Sequence, residues 1–290
     1  MPFMSGGLVM LKEMVPDLPP SEKKIAEYIL KNPQATISLT ANELGKRSST
    51  SGAAVIRLCK SLDLKGFQDL KLRIAGDLQK TTSPSGFRDI EPNESPSSII
   101  EKMTNNSIQT IEETSQLLNI EELSKAVELI MHSHTIHFFG VGASAIIAED
   151  AHQKFLRINK RSTAFRDFHM AATQVANVQE GDVVVGISFS GKTFEVAKIL
   201  ELANRKKAHT ISLTKFGSSI VNEQADVKLY TSATREPTFR SGATSSRIAQ
   251  LHVIDILFMS VASQQYDQTV RHLDETREII ETIRDNVKNK

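Results

Sequence analysis

The sequence predicts an all-helical N-terminal module followed by an α/β domain in which helices flank a parallel sheet. Three features carry that expectation. Over the first 80 residues, apolar side chains recur at helical spacing. Beyond residue 99, short β-branched or aromatic runs alternate with helical periods, the pattern of βαβ units. Between them, residues 81–98 crowd Thr, Ser, Pro and Gly together with no surviving apolar period. The expected division is a helical domain over 1–80, a linker over 81–98 and the α/β domain over 99–290. A chain of 290 residues suits two cores better than one.

Composition narrows the classes further. Hydrophobic residues make up 40% and charged residues 24%, which excludes wholesale disorder. Overall charge is nearly balanced at 35 basic and 34 acidic side chains, yet residues 1–80 hold 12 basic against 8 acidic, so the front end is the candidate for a polyanionic partner. The single cysteine, Cys59, cannot form an internal bridge or a cysteine-rich metal site. Residues 1–14 lack the pattern of an export signal, and apolar runs such as 253–262, interrupted by Asp255, fall short of the roughly 20 residues a spanning helix needs. The expected address is the cytoplasm, with no membrane partner.

Within the helical module, Pro19–Pro20–Ser21 followed by Ile25, Tyr28 and Ile29 predicts a helix capped by Ser21 and ending at Asn32–Pro33. Thr40 with Glu43 has capping-box spacing and opens a second, short helix. A third spans about 51–62, with Val55, Leu58, Cys59 and Leu62 at i, i+3, i+4 and i+7 on one buried face, and a fourth follows around 67–78. In the third helix Cys59 is an inert core thiol.

Residues 41–62 thus form helix, tight turn (Ser48–Ser49–Thr50) and helix, with Arg57 and Lys60 pointing away from the core stripe. Such a helix can lie in the major groove of double-stranded DNA. Thr50 and Ser51 stand at its start, and Lys46, Arg47, Lys65, Lys71 and Arg73 extend a cationic rim whose contribution would be salt-dependent. The alternative is a small packing module with solvated surface charge.

The run Ala41–Asn42–Glu43–Leu44, Ser51, Val55–Ile56–Arg57–Leu58–Cys59–Lys60 and Lys65–Gly66–Phe67–Gln68–Asp69–Leu70–Lys71 resembles the helix-turn-helix domain of RpiR-family bacterial transcriptional regulators. That resemblance implies that the second helix of the motif reads DNA. The sequence departs from the family at Gly52, where a better helix former is usual, and at Ala54, where a hydroxyl residue is common.

In the α/β half, Ser98 with Glu101 is expected to cap a long helix through Ile100, Met103, Ile111 and Leu118. Strands are expected at 135–139, 182–187, 209–213 and 227–230, and the nearly all-apolar 248–261 suggests a helix buried on more than one side. Two glycine–serine loops follow strands. Gly140–Val141–Gly142–Ala143–Ser144–Ala145 matches a dinucleotide fingerprint, though Asp167 stands 27 residues after Gly140, later than the acidic partner of that motif should. Ser188–Phe189–Ser190–Gly191–Lys192–Thr193, read from Gly186, satisfies the phosphate-loop pattern of nucleotide hydrolases, yet the next strand runs into Thr214–Lys215 without the carboxylate that holds magnesium. Ser144, Ser188, Ser190, Gly191 and Thr193 instead suit a metal-free phosphate cradle of hydroxyl and backbone donors at the carboxyl ends of neighbouring strands. A tight strand-to-helix turn with no ligand is the plain alternative.

Together the two loops, with Ser241–Gly242–Ala243–Thr244–Ser245–Ser246–Arg247, resemble the sugar isomerase (SIS) domain. The resemblance implies a phosphosugar ligand, with Glu236 on sugar hydroxyls and Arg240 and Arg247 near the phosphate. It also implies a regulator and not an enzyme; the alternative is a phosphosugar isomerase or etherase in which Glu236 and His169 serve as acid and base. Similarity of the opening residues 6–14 and 19–26 to RpiR members that handle amino sugars suggests N-acetylmuramic acid 6-phosphate, with hexose phosphates and a sugar-acid phosphate as alternatives. A homodimer or homotetramer is expected, with no cofactor and no metal; His132, His134 and His137 fix no common ligand geometry.

Overall fold

The computed structural model describes residues 5–79, 89–233 and 243–288, which divide into two compact units, the first running through Leu117 and the second beginning at Leu118. The first unit is helical: α1 (Gly7–Met14), α2 (Pro20–Lys31), α3 (Pro33–Thr36), α4 (Ala41–Arg47), α5 (Gly52–Ser61), α6 (Phe67–Gln79) and α7 (Pro96–Leu117). Its core gathers Leu11, Ile25, Ile29, Leu44, Val55, Leu58, Leu62, Leu70 and Ile74, all fully buried.

Local chemistry explains most boundaries. The Thr40 hydroxyl accepts the Glu43 amide while the Glu43 carboxylate accepts the Thr40 amide, completing the expected capping box of α4. Ser51 caps α5 by accepting the Ala54 amide at 3.2 Å. Two caps differ from expectation. Helix α2 starts at Pro20 with Pro19 as its N-cap, because proline at the first helical position already has the right φ and its missing N–H would have had no partner within the helix. Helix α7 starts at Pro96, and Ser95, not Ser98, accepts an amide, that of Ser98 itself. The long helix also ends at Leu117, where Asn119 accepts the Glu121 and Glu122 amides and starts a new one.

The second unit runs α8 (Ile120–His132), β1 (Ile136–Gly140), α9 (Ala143–Arg157), β2 (Ser162–Phe165), α10 (Phe168–Ala176), β3 (Val183–Ile187), α11 (Phe194–Arg205), β4 (His209–Lys215), a 3-10 turn (Asn222–Gln224), β5 (Val227–Thr231), α12 (Thr244–Gln264) and α13 (Tyr266–Lys288). All four strand pairings are parallel, in the order β2-β1-β3-β4-β5. Alternate strand residues feed opposite layers. Ile136, Phe138, Val183, Val185, Ile187, Ile211 and Leu213 pack under α8, α9 and α12, whereas Phe139 and Val184 meet α10 and α11.

Strand β2 escaped sequence reading because Ser162–Phe165 is an edge strand with no fully buried residue, so it lacks an apolar run. Helix α12 buries one face, through Ala249, Val253, Ile254, Leu257 and Val261, and leaves Met259 63% exposed. No helix among the described residues is long and apolar enough to cross a membrane.

Candidate functional sites

In the helical unit, the turn between α4 and α5 is held by Thr50, whose amide donates to the Gly45 carbonyl at 2.7 Å and whose hydroxyl lies 2.9 Å from that of Ser48. Thr50 is therefore half-buried and serves the turn, with Ser49 in the left-handed region at φ +54°. At Gly52, one of the departures from the family pattern, a Cβ would meet the Oδ1 end of the exposed Asn42 side chain of α4, so a better helix former there requires Asn42 to turn away. Ala54, the other departure, is buried at 1% exposure.

Lys46, Arg47, Ser51, Arg57, Lys60 and Lys65 are all exposed. Arg57 does not stand alone: its Nε lies 3.8 Å from the buried carboxylate of Glu22, which also accepts a 2.7 Å hydrogen bond from Ser61. Lys71 and Arg73 are committed elsewhere. Lys71 donates to the Leu39 carbonyl and lies over the Phe67 ring, and Arg73 pairs with Asp69 at 3.1 Å. Sequence reading missed Glu22, although a carboxylate at the first position of the stripe Glu22, Ile25, Ala26, Ile29 was a visible signal. Cys59 is fully buried, and burial pushes its thiol up to about 11, which keeps it protonated at neutral pH.

In the α/β unit, β1 and β3 are neighbours in the sheet, with Gly140 in register with Ile187. The winding reverses between them, and in open parallel sheets ligands gather at the carboxyl ends of strands at such a switch point. Both glycine–serine loops therefore leave the same end of adjacent strands. Ser144 sits in the first turn of α9, buried, where Gln250 of α12 donates to its Oγ at 3.2 Å. Gln250 is a residue the sequence reading did not single out; its signal was an amide inside an otherwise apolar helix.

The loop after β3 is tied in place from several sides. Ser188, 2% exposed, has its Oγ 2.8 Å from Thr193 Oγ1 and donates its amide to the Leu213 carbonyl. Ser190 Oγ accepts the Lys192 amide at 3.2 Å. Gly191 has φ +67°, its carbonyl accepts the Val221 amide, and a Cβ on it would strike Ser219.

The helix starts differ in a telling way. Asn119 caps α8 and Asp167 caps α10 with their side chains, but neither Gly142 at α9 nor Thr193 at α11 supplies a side-chain cap. α12 likewise starts without a side-chain cap, so the feature is shared, but at α9 and α11 it leaves leading N–H groups open at the carboxyl ends of β1 and β3, an arrangement suited to an anion.

The remaining candidates fall outside this cluster or outside view. Glu236 and Arg240 lie outside the described residues. Arg247 is half-buried in the first turn of α12 and donates to the Ala243 carbonyl at 2.6 Å. His169 is exposed on α10, whose cap is Asp167. His137 is buried in β1 against Thr163, while His132 bonds the Glu128 carbonyl; among the described residues no group of three or more His, Cys, Asp or Glu is placed to hold a metal. The nucleotide-hydrolase pattern also loses its parts. Gly186 lies inside β3, pressed against Val196 and Leu200, and Asp255 pairs with Lys154 at 2.5 Å on α12.

Comparison with known proteins finds two matching families. Residues 5–81 match the helix-turn-helix domain of the rpiR family, and residues 129–260 match the SIS domain. The chain is 50% identical over 280 residues to the HTH-type transcriptional regulator YbbH of Bacillus subtilis, spanning 97% of this chain and 99% of that one. It is 44% identical over 277 residues to the HTH-type regulator TTE0211 of Caldanaerobacter subterraneus, spanning 96% and 98%. Among solved structures, the Vibrio vulnificus NanR protein complexed with ManNAc-6P is similar at 26% identity and a TM-score of 0.60, over 96% of this chain and 98% of that chain. With its helical unit matching the rpiR helix-turn-helix model, its parallel sheet the SIS model, and half its residues shared with YbbH over nearly the whole length, the chain belongs to the RpiR family of HTH-type transcriptional regulators with a SIS domain.

Proposed function

We propose that this regulator senses a phosphosugar and that occupancy of the crevice sets its affinity for an operator. The observation that supports this most directly is that the loops carrying Ser144 and Ser188, Ser190, Gly191 and Thr193 leave the carboxyl ends of the neighbouring strands β1 and β3, each ahead of a helix start without a side-chain cap. A phosphate monoester fits that setting because backbone N–H and side-chain O–H groups can share its charge without a metal. Arg247, and Glu236 and Arg240 outside the described residues, are the further candidates for sugar and phosphate contacts. Residues 1–80 read double-stranded DNA through Thr50, Ser51, Arg57 and Lys60, with Lys46, Arg47 and Lys65 on phosphates; 81–98 links them to the sensing domain in a cytoplasmic homodimer or homotetramer.

The effector class we favour is an amino-sugar or hexose phosphate, including N-acetylmuramic acid 6-phosphate. Similarity to the Vibrio protein bound to ManNAc-6P supports a phosphorylated amino sugar. The function is sensing and not turnover. A thermal-shift and operator-binding screen against a broad panel of phosphosugars, with ATP and NAD as controls, tests it: one phosphosugar should raise the melting temperature and change operator affinity. A panel in which none does either overturns the proposal.

A further inference from the structure

The leading residues of α5 run Gly52–Ala53–Ala54–Val55–Ile56 before the first polar side chain, Arg57. In helix-turn-helix proteins it is the N-terminal part of the second helix that meets base edges. Here that part carries no side chain able to donate or accept a hydrogen bond. Ala54 and Val55 are buried and Gly52 is pressed against Asn42, while Ser51, just ahead of the helix, accepts the Ala54 amide and keeps its own O–H for a phosphate. What faces outward is apolar: Ala53 is exposed and Ile56 is 42% exposed, three residues apart on one side of the helix. The cations Arg57 and Lys60 stand next to them, so this is a charged DNA-facing surface with an apolar patch within it.

Only one group in the major groove is apolar, the 5-methyl of thymine. We infer that Ile56, with Ala53 beside it, is a specificity-determining residue that packs on a thymine methyl of the operator. Arg57 and Lys60 supply phosphate or guanine contacts around that point. The inference rests on the DNA-reading role of α5 and goes beyond it by naming the base feature that is read.

The test uses the full-length protein and an operator enriched by it from a randomised duplex pool. Each thymine is then replaced by deoxyuridine, which removes the methyl and keeps the base pair. At one or two positions in each half-site the wild-type protein should bind about fourfold more weakly per methyl removed. Ile56→Ala should bind the thymine operator about as weakly as wild type binds the uracil one, and should no longer distinguish the two. Ile56→Val, which keeps the branched methyls, should retain part of the discrimination, and unchanged melting curves would show that both variants fold. Equal wild-type affinity for thymine and uracil at every position overturns the inference, as does full discrimination by Ile56→Ala. A pool that never enriches, with random duplex bound as well as any selected one, would instead refute DNA reading by α5 altogether.

Discussion

Arg57 on the outward face of α5 lies 3.8 Å from Glu22, a carboxylate only 4% exposed on α2. Because the same carboxylate accepts a hydrogen bond from Ser61, one turn along α5, Glu22 anchors the helix and biases where its arginine can swing. Arg57 itself is 57% exposed, so the pair adds little to stability and its consequence is orientation. Arg57→Ala is expected to lower operator affinity by about 1–3 kcal/mol if the guanidinium reads a base, with little change in melting temperature. Glu22→Gln keeps the Ser61 hydrogen bond and removes the charge. It should weaken discrimination between operator and random duplex more than it weakens binding to random duplex, as measured by titration at fixed salt.

Removing hydroxyls from the crevice should separate sensing from DNA binding. Ser190→Ala with Thr193→Ala is expected to abolish the thermal shift given by the effector and its effect on the operator, while leaving effector-free DNA affinity nearly unchanged. A variant that loses DNA affinity and keeps the ligand response would mean that the roles of the two units are reversed.

Gly191 gives a test of loop geometry that spares every polar group. At φ +67°, with Ser219 where a Cβ would go, Gly191→Ala must displace the loop. The expected result is a loss of effector binding of at least tenfold by calorimetry, with the parallel sheet intact by circular dichroism.

His137 predicts a pH dependence. Burial lowers its pKa below the ordinary histidine value, against the opposing pull of Asp182, 3.8 Å from its Nε2. The folded protein therefore resists a proton that the unfolded chain accepts, so the stability this site contributes is present above about pH 6.5 and is lost as pH falls toward the lowered folded value. Melting temperatures at pH 7.5 and 5.5 should differ less for His137→Gln than for the wild type.

Cys59 should resist alkylation. With its thiol raised to about 11 by burial, reaction with iodoacetamide at pH 8 is expected only in denaturant. Rapid labelling of the native protein would show that α5 opens readily.

Much of this architecture could be read from one dimension. Caps such as Thr40–Glu43 and Ser51 are local, since the donors and acceptors lie within one helical turn; β1 and β3 announce themselves because strands buried on both faces are almost continuously apolar, and β4 by Ile211 and Leu213 alternating with small hydroxyl residues. Strand β2 did not, because an edge strand need not be apolar, and the starts of α2 and α7 shifted where proline competed with serine for the first position.

Residue identity alone determined that the chain pairs a helical module bearing outward cations with a parallel α/β domain carrying two hydroxyl-rich turns. Three-dimensional packing decided the rest: that β1 and β3 lie side by side, so that both turns leave the same end of adjacent strands, that Gln250 holds Ser144, and that Glu22 stands under Arg57. Periodicity is set by neighbours three or four positions apart. Contacts between residues 35 to 106 positions apart depend on strand order and helix crossing, which no local pattern encodes.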